Sequence, residues 1–166
     1  ALSQKTSLQV FSAQTTDNGF GVTPTIFVTD RATAQSTPGL LEEHFGPTTV
    51  VITANENDYV EIASELPGQL TATIHGSASD SYAALLAILA QKAGRVIWNA
   101  FPTGVAVTEA MQHGGQWPAS STHTTSVGID AIYRFMRPVS YQSFAQEVLP
   151  AALQDANPWK VEQRIN

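Results

Sequence analysis

The side chains that could do chemistry are few. Glu42 and Glu43 stand side by side in "LLEEHFGPTTVVITAN" (40–55), ahead of a Phe45-Gly46-Pro47 break and an apolar run, in a chain only 13% charged. Their plain reading is a solvated pair at the end of a helix or turn. The four histidines, His44, His75, His113 and His123, show no HxH or HExxH spacing, so no metal site is expected. Without cysteine there is no disulfide framework, thiolate metal site or cysteine nucleophile within these residues.

Two glycine motifs offer less than their letters suggest. "HGGQ" (113–116) is similar to the oxyanion loop of lipase-type hydrolases, but no GxSxG nucleophile elbow accompanies it. A serine hydrolase around His113 therefore lacks its nucleophile. "GFG" (19–21) has neither the third glycine nor the helix of a dinucleotide fingerprint and reads as a turn.

The positioning elements follow from periodicity. "SLQVFSA" (7–13) and "PTIFVT" (24–29) alternate apolar and polar residues around an Asp17-Asn18-Gly19 turn signal, predicting a hairpin or neighbouring strands. "TTVVITA" (48–54) is β-branched and continuous, as in a central strand buried on both faces. "ENDYVEIASEL" places Tyr59, Ile62, Ala63 and Leu66 on one helical face, with Pro67-Gly68 as the stop. A strand over 69–76 and a helix carrying Tyr82, Leu85, Leu86, Leu89 and Ala93 follow, with Ser79 or Asp80 as cap and Gly94 as its left-handed end. "RVIWNAF" (95–101) returns to strand. Strand, helix, strand, helix, strand with such crossovers is an α/β pattern with parallel pairing.

Residues 102–126 lose periodicity and form a long loop of the functional kind. A short helix with Ile129, Ile132, Tyr133 and Met136 on one face precedes an edge strand, "RPVSYQ" (137–142). The tail reads as two helical pieces, with Pro150 opening the second.

The length fits one domain, and 43% hydrophobic residues suffice for a core. Net charge is -6, and the eight Lys and Arg are scattered, which argues against nucleic-acid binding. Apolar stretches such as Tyr82–Ala90 are far shorter than the roughly 20 residues of a membrane span, and no targeting pattern is visible. The expected location is the cytoplasm, with no membrane partner.

An ordered set of motifs then carries a resemblance. Pro24-Thr25 in a strand, Glu43 with Phe45-Gly46-Pro47, Asn99 at a strand end and Gly114-Gly115 resemble, in order and spacing, the C-terminal third of the aldehyde dehydrogenase superfamily. The likeness runs from about Ser7 to Pro158, and "FPTGV", "HGG", "TTSVG" and "RPVSYQ" are most similar to the branch oxidising 2-oxoglutarate semialdehyde or long-chain and fatty aldehydes.

The resemblance implies a parallel-sheet portion of an α/β catalytic domain at 1–136 and an oligomerisation strand with a C-terminal tail at 137–166. It implies NAD or NADP as cofactor, a small aldehyde as substrate and a homo-oligomer, dimer or tetramer. Glu43 matches the glutamate that holds the nicotinamide-side ribose, since a carboxylate offers two acceptors for two hydroxyl donors. Phe45 matches the aromatic beside the nicotinamide. Residues 102–116 correspond to the aldehyde tunnel wall, with Phe101, Gln112, His113 and Trp117 as candidate lining residues, for each of which ordinary loop packing is the alternative. Asn99 is expected to pin neighbouring loop backbone rather than do chemistry, and His123 stands where the closest branch has Arg. The family's nucleophilic Cys, general-base Glu and oxyanion-hole Asn match nothing here, so the chain is expected to be the C-terminal part of an enzyme and inactive alone. A noncatalytic α/β binding module is the alternative from another class.

Overall fold

The computed structural model describes residues 8–14, 19–37 and 39–164. Ser7, Asp17 and Asn18 of the expected hairpin lie outside that range. Two compact units divide the chain, Ala1–Ala131 and Ile132–Asn166.

In the first unit, β1 (Gln9–Ser12), β2 (Thr25–Asp30) and β3 (Thr48–Thr53) form one sheet in that order. β1 runs antiparallel to β2, with Gln9 opposite Val28, and β2 runs parallel to β3, with Thr25 opposite Thr48. A second sheet pairs β4 (Gln69–Ile74) with β5 (Ala93–Trp98) in parallel. Between the strands lie α1 (Arg31–Gln35), α2 (Tyr59–Glu65) and α3 (Ala83–Lys92). Parallel pairs joined through helical crossovers make the unit α/β, as the periodicity predicts.

β2, not β3, is the central strand. Phe27 and Thr29 of β2 are buried and Val28 half-buried, whereas β3 alternates, with Thr49, Val51 and Thr53 exposed. Among the described residues β3 pairs with β2 alone and is an edge strand, and its alternating burial leaves one face exposed.

Short-range chemistry sets α1, which periodicity does not reveal. The Asp30 carboxylate accepts from the Thr33 N–H at 2.7 Å, an N-cap that satisfies one orphan amide of the first turn. That bond holds the Asp30 carboxyl below its ordinary pKa. The next residue, Arg31, meets three carboxylates of the α2 region: Asp58 at 3.0 Å, Glu61 at 2.8 Å and Glu65 at 3.8 Å. Gln35 also donates to both oxygens of Glu65. α1 is thereby tied to α2, and the Glu61 hydrogen bond chiefly raises the pKa of Arg31.

Two small cores result. Leu8, Phe27, Ala34 and Leu40 pack with Val10, Val50 and Ile52 around the first sheet. Ala63, Ile74 and Leu89 pack with Ala72, Tyr82, Leu85, Ile88 and Val96 around the second. Leu40 is fully buried and anchors the turn that leads to Glu42 and Glu43.

The ends of α3 differ from expectation. Tyr82 takes the N-cap position without a side-chain cap bond, while Ser77, Ser79 and Asp80 are engaged in a turn of their own, Asp80 N–H donating to the Ser77 carbonyl. At the other end the helix passes directly into β5 at an extended Ala93, so Gly94 is a strand residue rather than a left-handed cap. Leu86 is 48% exposed and lies off the packed face.

From Ile129 onward regular structure is weaker than predicted. Ile129–Phe135 is 3-10 rather than α. Within the second unit, residues 137–142 form no strand in this single chain, and the tail contains 3-10 turns at Gln146–Val148 and Ala151–Leu153 with Pro150 as the cap of the latter. Helices this short gain little without a buried face to pack on. Gln146, Gln154 and Gln163 side-chain bonds hold the tail's backbone instead.

Candidate functional site

The Pro-Thr and Phe-Gly-Pro motifs meet in space. Thr25 N–H donates to the Pro47 carbonyl at 2.9 Å, so both lie at the N-terminal ends of parallel β2 and β3. Gly46 carries a φ of 142°, and its carbonyl accepts from Thr48 N–H at 2.8 Å, which turns the chain into β3. The Phe45 ring just before this bend is 93% exposed. Glu43 is exposed and, among the described residues, makes neither an ion pair nor a side-chain hydrogen bond. With Glu42 and Glu65 it lines a cleft of about 990 Å³ bounded by Thr37, Gln69 and Pro118. An uncommitted carboxylate can accept from two hydroxyl donors, and a bare ring can stack on a flat partner.

At the opposite, C-terminal ends of β4 and β5, Asn99 stitches two loops together. Its Oδ1 accepts from Gly76 N–H at 2.8 Å, and its Nδ2 donates to the Gly76 carbonyl at 2.9 Å. Asn99 adopts φ 49°, a left-handed conformation that asparagine tolerates. The amide therefore pins loop backbone, as its place at a strand end predicts. A Cβ at Gly76 would overlap the Tyr82 hydroxyl, which donates to Asp80 at 2.9 Å. That hydrogen bond, then burial, raises the Tyr82 pKa. Phe101, two residues beyond Asn99, is 78% exposed and rests against the His75 ring at 5.4 Å between centroids.

The HGGQ segment docks at the other end of the same two strands. Ala93 and Gly115 form an antiparallel bridge, and Gly68 N–H donates to the Trp117 carbonyl at 3.3 Å. Side chains are excluded along this seam: a Cβ on Gly94 would come within 2.6 Å of the Gly114 carbonyl oxygen, and Cβ atoms on Gly68 or Gly115 would overlap the Gln116 and Gln69 carbonyls. Gly68, Gly94 and Gly115 thus permit close backbone approach, whereas Gly114 has room for a Cβ in ordinary contact. Thr125, 3% exposed, accepts from His113 N–H at 2.9 Å, and the Ser126 hydroxyl donates to the His113 carbonyl at 2.7 Å. The TTSVG stretch thereby grips His113 from both sides of its peptide. Beside it a cleft of about 690 Å³ is lined by Gln112, Gln116, Trp117 and residues 120–125. Trp117 precedes a cis Pro118.

The expected tunnel residues do not converge in this chain. Gln112 and Trp117 share the 690 Å³ cleft and His113 adjoins it in sequence, but Phe101 lies past the far end of β5, roughly 17 Å of strand away. Glu43 lines the other cleft. Four features escaped the sequence: the Arg31 hub, the capped α1, the glycine seam and the Gly76–Tyr82 contact. Asp30 three residues before Thr33 is a cap signal for the second; the others need the tertiary fold. Among the described residues no group of three or more His, Asp or Glu could hold a metal ion, and no helix is long and apolar enough to cross a membrane.

Similarity to known proteins accords with this arrangement. The sequence profile described as the aldehyde dehydrogenase family matches residues 3–140. The alpha-ketoglutaric semialdehyde dehydrogenase of Acinetobacter baylyi is 46% identical over 148 residues, 86% of this chain and 28% of that protein. The alpha-ketoglutaric semialdehyde dehydrogenase 2 of Azospirillum brasilense is 46% identical over 125 residues, 73% of this chain and 24% of that protein. The chain thus spans about a quarter of the length of these relatives. The Delta-pyrroline-5-carboxylate dehydrogenase of Mycobacterium tuberculosis shares the fold, with a TM-score of 0.57 at 20% identity over 89% of this chain and 28% of that one. The chain belongs to the aldehyde dehydrogenase family.

Proposed function

We propose that this chain is the C-terminal part of an NAD(P)-dependent aldehyde dehydrogenase that oxidises a 2-oxo acid semialdehyde to the dicarboxylate. The observation that carries the reading is the exposure of both Glu43 and Phe45 just before the Gly46-Pro47 bend, with Glu43 lining a cleft, within a family match covering residues 3–140. The 46% identity to two semialdehyde dehydrogenases supports the substrate class.

In this reading Glu43 would accept hydrogen bonds from the ribose hydroxyls and Phe45 would pack against the nicotinamide ring. The bound nicotinamide supplies a hydride acceptor. By holding the ribose, the Glu43 carboxylate would contribute orientation rather than bond-making. The nucleophile that captures the aldehyde carbon lies outside these residues, since the chain has no cysteine. Phe101 on one side, and Gln112, His113 and Trp117 on another, form separate stretches of aldehyde-facing wall.

Residues 137–166 are proposed to support a homo-oligomer. Val139 and Tyr141 are 54% and 45% exposed on a segment without a strand partner in the single chain, a form suited to pairing with a neighbouring copy's sheet. The test is to assay the intact enzyme with 2-oxoglutarate semialdehyde and either cofactor. Cofactor reduction with release of the dicarboxylate is the expected result; no oxidation of this or any simpler aldehyde would refute the reading.

A further inference from the structure

His75 directly follows β4 and Phe101 lies three residues past β5, and their rings rest against each other with centroids 5.4 Å apart at 50°. Both belong to the loops that follow the C-terminal ends of these strands, the edge at which open α/β sheets take their ligands. The roots of the two rings are fixed together: His75 adjoins Gly76 and Phe101 is two residues past Asn99, and Gly76 and Asn99 share the paired hydrogen bonds of 2.8 and 2.9 Å. Beneath them the Tyr82 ring closes the space a Gly76 side chain would need, and it is itself held by Asp80 and by edge contact with Trp98 at 5.3 Å. Phe101 nevertheless remains 78% exposed. Such a base holds an aromatic pair in place and leaves one face bare.

We propose that His75 is a positioning residue for substrate selection: its ring backs Phe101, and the pair forms an apolar wall against the carbon chain of the aldehyde. This rests on the dehydrogenase reading above and adds to it a residue that the sequence motifs leave unassigned. A longer aldehyde offers such a wall more apolar surface to bury than a short one.

The test uses the intact enzyme with propanal, hexanal and 2-oxoglutarate semialdehyde as probes. His75→Ala is expected to raise KM for hexanal about two- to tenfold, the scale of an aromatic pair, with kcat and the KM for propanal unchanged. His75→Phe should restore the hexanal KM, and the double variant with Phe101→Ala should lose no more than Phe101→Ala alone. Additive losses, failure of the phenylalanine variant to restore KM, or an equal effect on all three aldehydes would overturn the role of His75 while leaving the dehydrogenase reading intact. A wild-type enzyme inactive on every aldehyde would remove both.

Discussion

Asn99 reproduces with its side chain the hydrogen-bond pattern of one more strand residue, accepting from and donating to Gly76 while its own N–H donates to the Ile74 carbonyl at 2.9 Å. The β4–β5 ladder is thus continued past Trp98 by an amide, after the backbone has turned away at φ 49°. Asn99→Ala should lose both side-chain bonds and strain the left-handed backbone, lowering stability by about 1–3 kcal/mol. Asn99→Gly should lose less, because glycine accepts that φ. Urea denaturation of the two variants checks the order.

The glycine seam gives a second expectation. Gly115→Ala or Gly94→Ala forces a methyl into the backbone of the opposing segment and should destabilise by about 1–3 kcal/mol. Gly104→Ala, whose Cβ would have nothing within 4 Å, should stay within about 0.5 kcal/mol of wild type. Melting temperatures of the three variants make the comparison.

Leu40 has no exposed surface and roots the turn that presents Glu43. Leu40→Ala should cost about 2–5 kcal/mol, as for other buried leucines, and should also weaken cofactor binding. Leu41→Ala, at a residue 44% exposed, should do much less to stability. Denaturation and cofactor titration on the same samples separate the two effects.

Asp30 sets an acid-side expectation. Its folded pKa is lowered, chiefly by the Thr33 N–H, so its stabilisation is fully present above the unfolded value and is lost as pH falls through the lowered folded value. The stability gap between wild type and Asp30→Ala should therefore be constant near neutral pH and shrink below the ordinary aspartate range. A gap independent of pH in that range would mean that the carboxylate is not the cap.

Much of the architecture is legible in the residues. Alternation marks β1 and β2, and the apolar residues Ile62, Ala63, Leu85 and Leu89 at helical spacing mark the buried faces of α2 and α3. The place of a strand within its sheet is not legible: "TTVVIT" has the composition of a central strand yet is covered on one side only, because composition records preference and not neighbours. Gly94 shows the same limit. A glycine after a helix suits a cap, but here it is required by the Gly114 backbone that crosses it. The loop-pinning role of Asn99 is legible from its place at a strand end and is seen in its two bonds to Gly76, whereas for Glu43 and Phe45 the ordered motifs single out the residues and the structure shows only that both are exposed. Phe101 and Trp117, which the resemblance sets along one tunnel wall, lie at opposite ends of β5, a separation that the motifs themselves do not encode. The tail's periodicity overstated its helices for want of a surface on which to pack them.

The most direct test of the proposed cofactor contact is Glu43→Gln in the intact enzyme, read by cofactor affinity and by the single-turnover rate of hydride transfer. Loss of a charge-assisted hydrogen-bond acceptor should weaken affinity or slow transfer by about ten- to a hundredfold, with the fold unchanged by circular dichroism. Unchanged affinity together with an unchanged transfer rate would contradict the account and return Glu43 to the solvated surface.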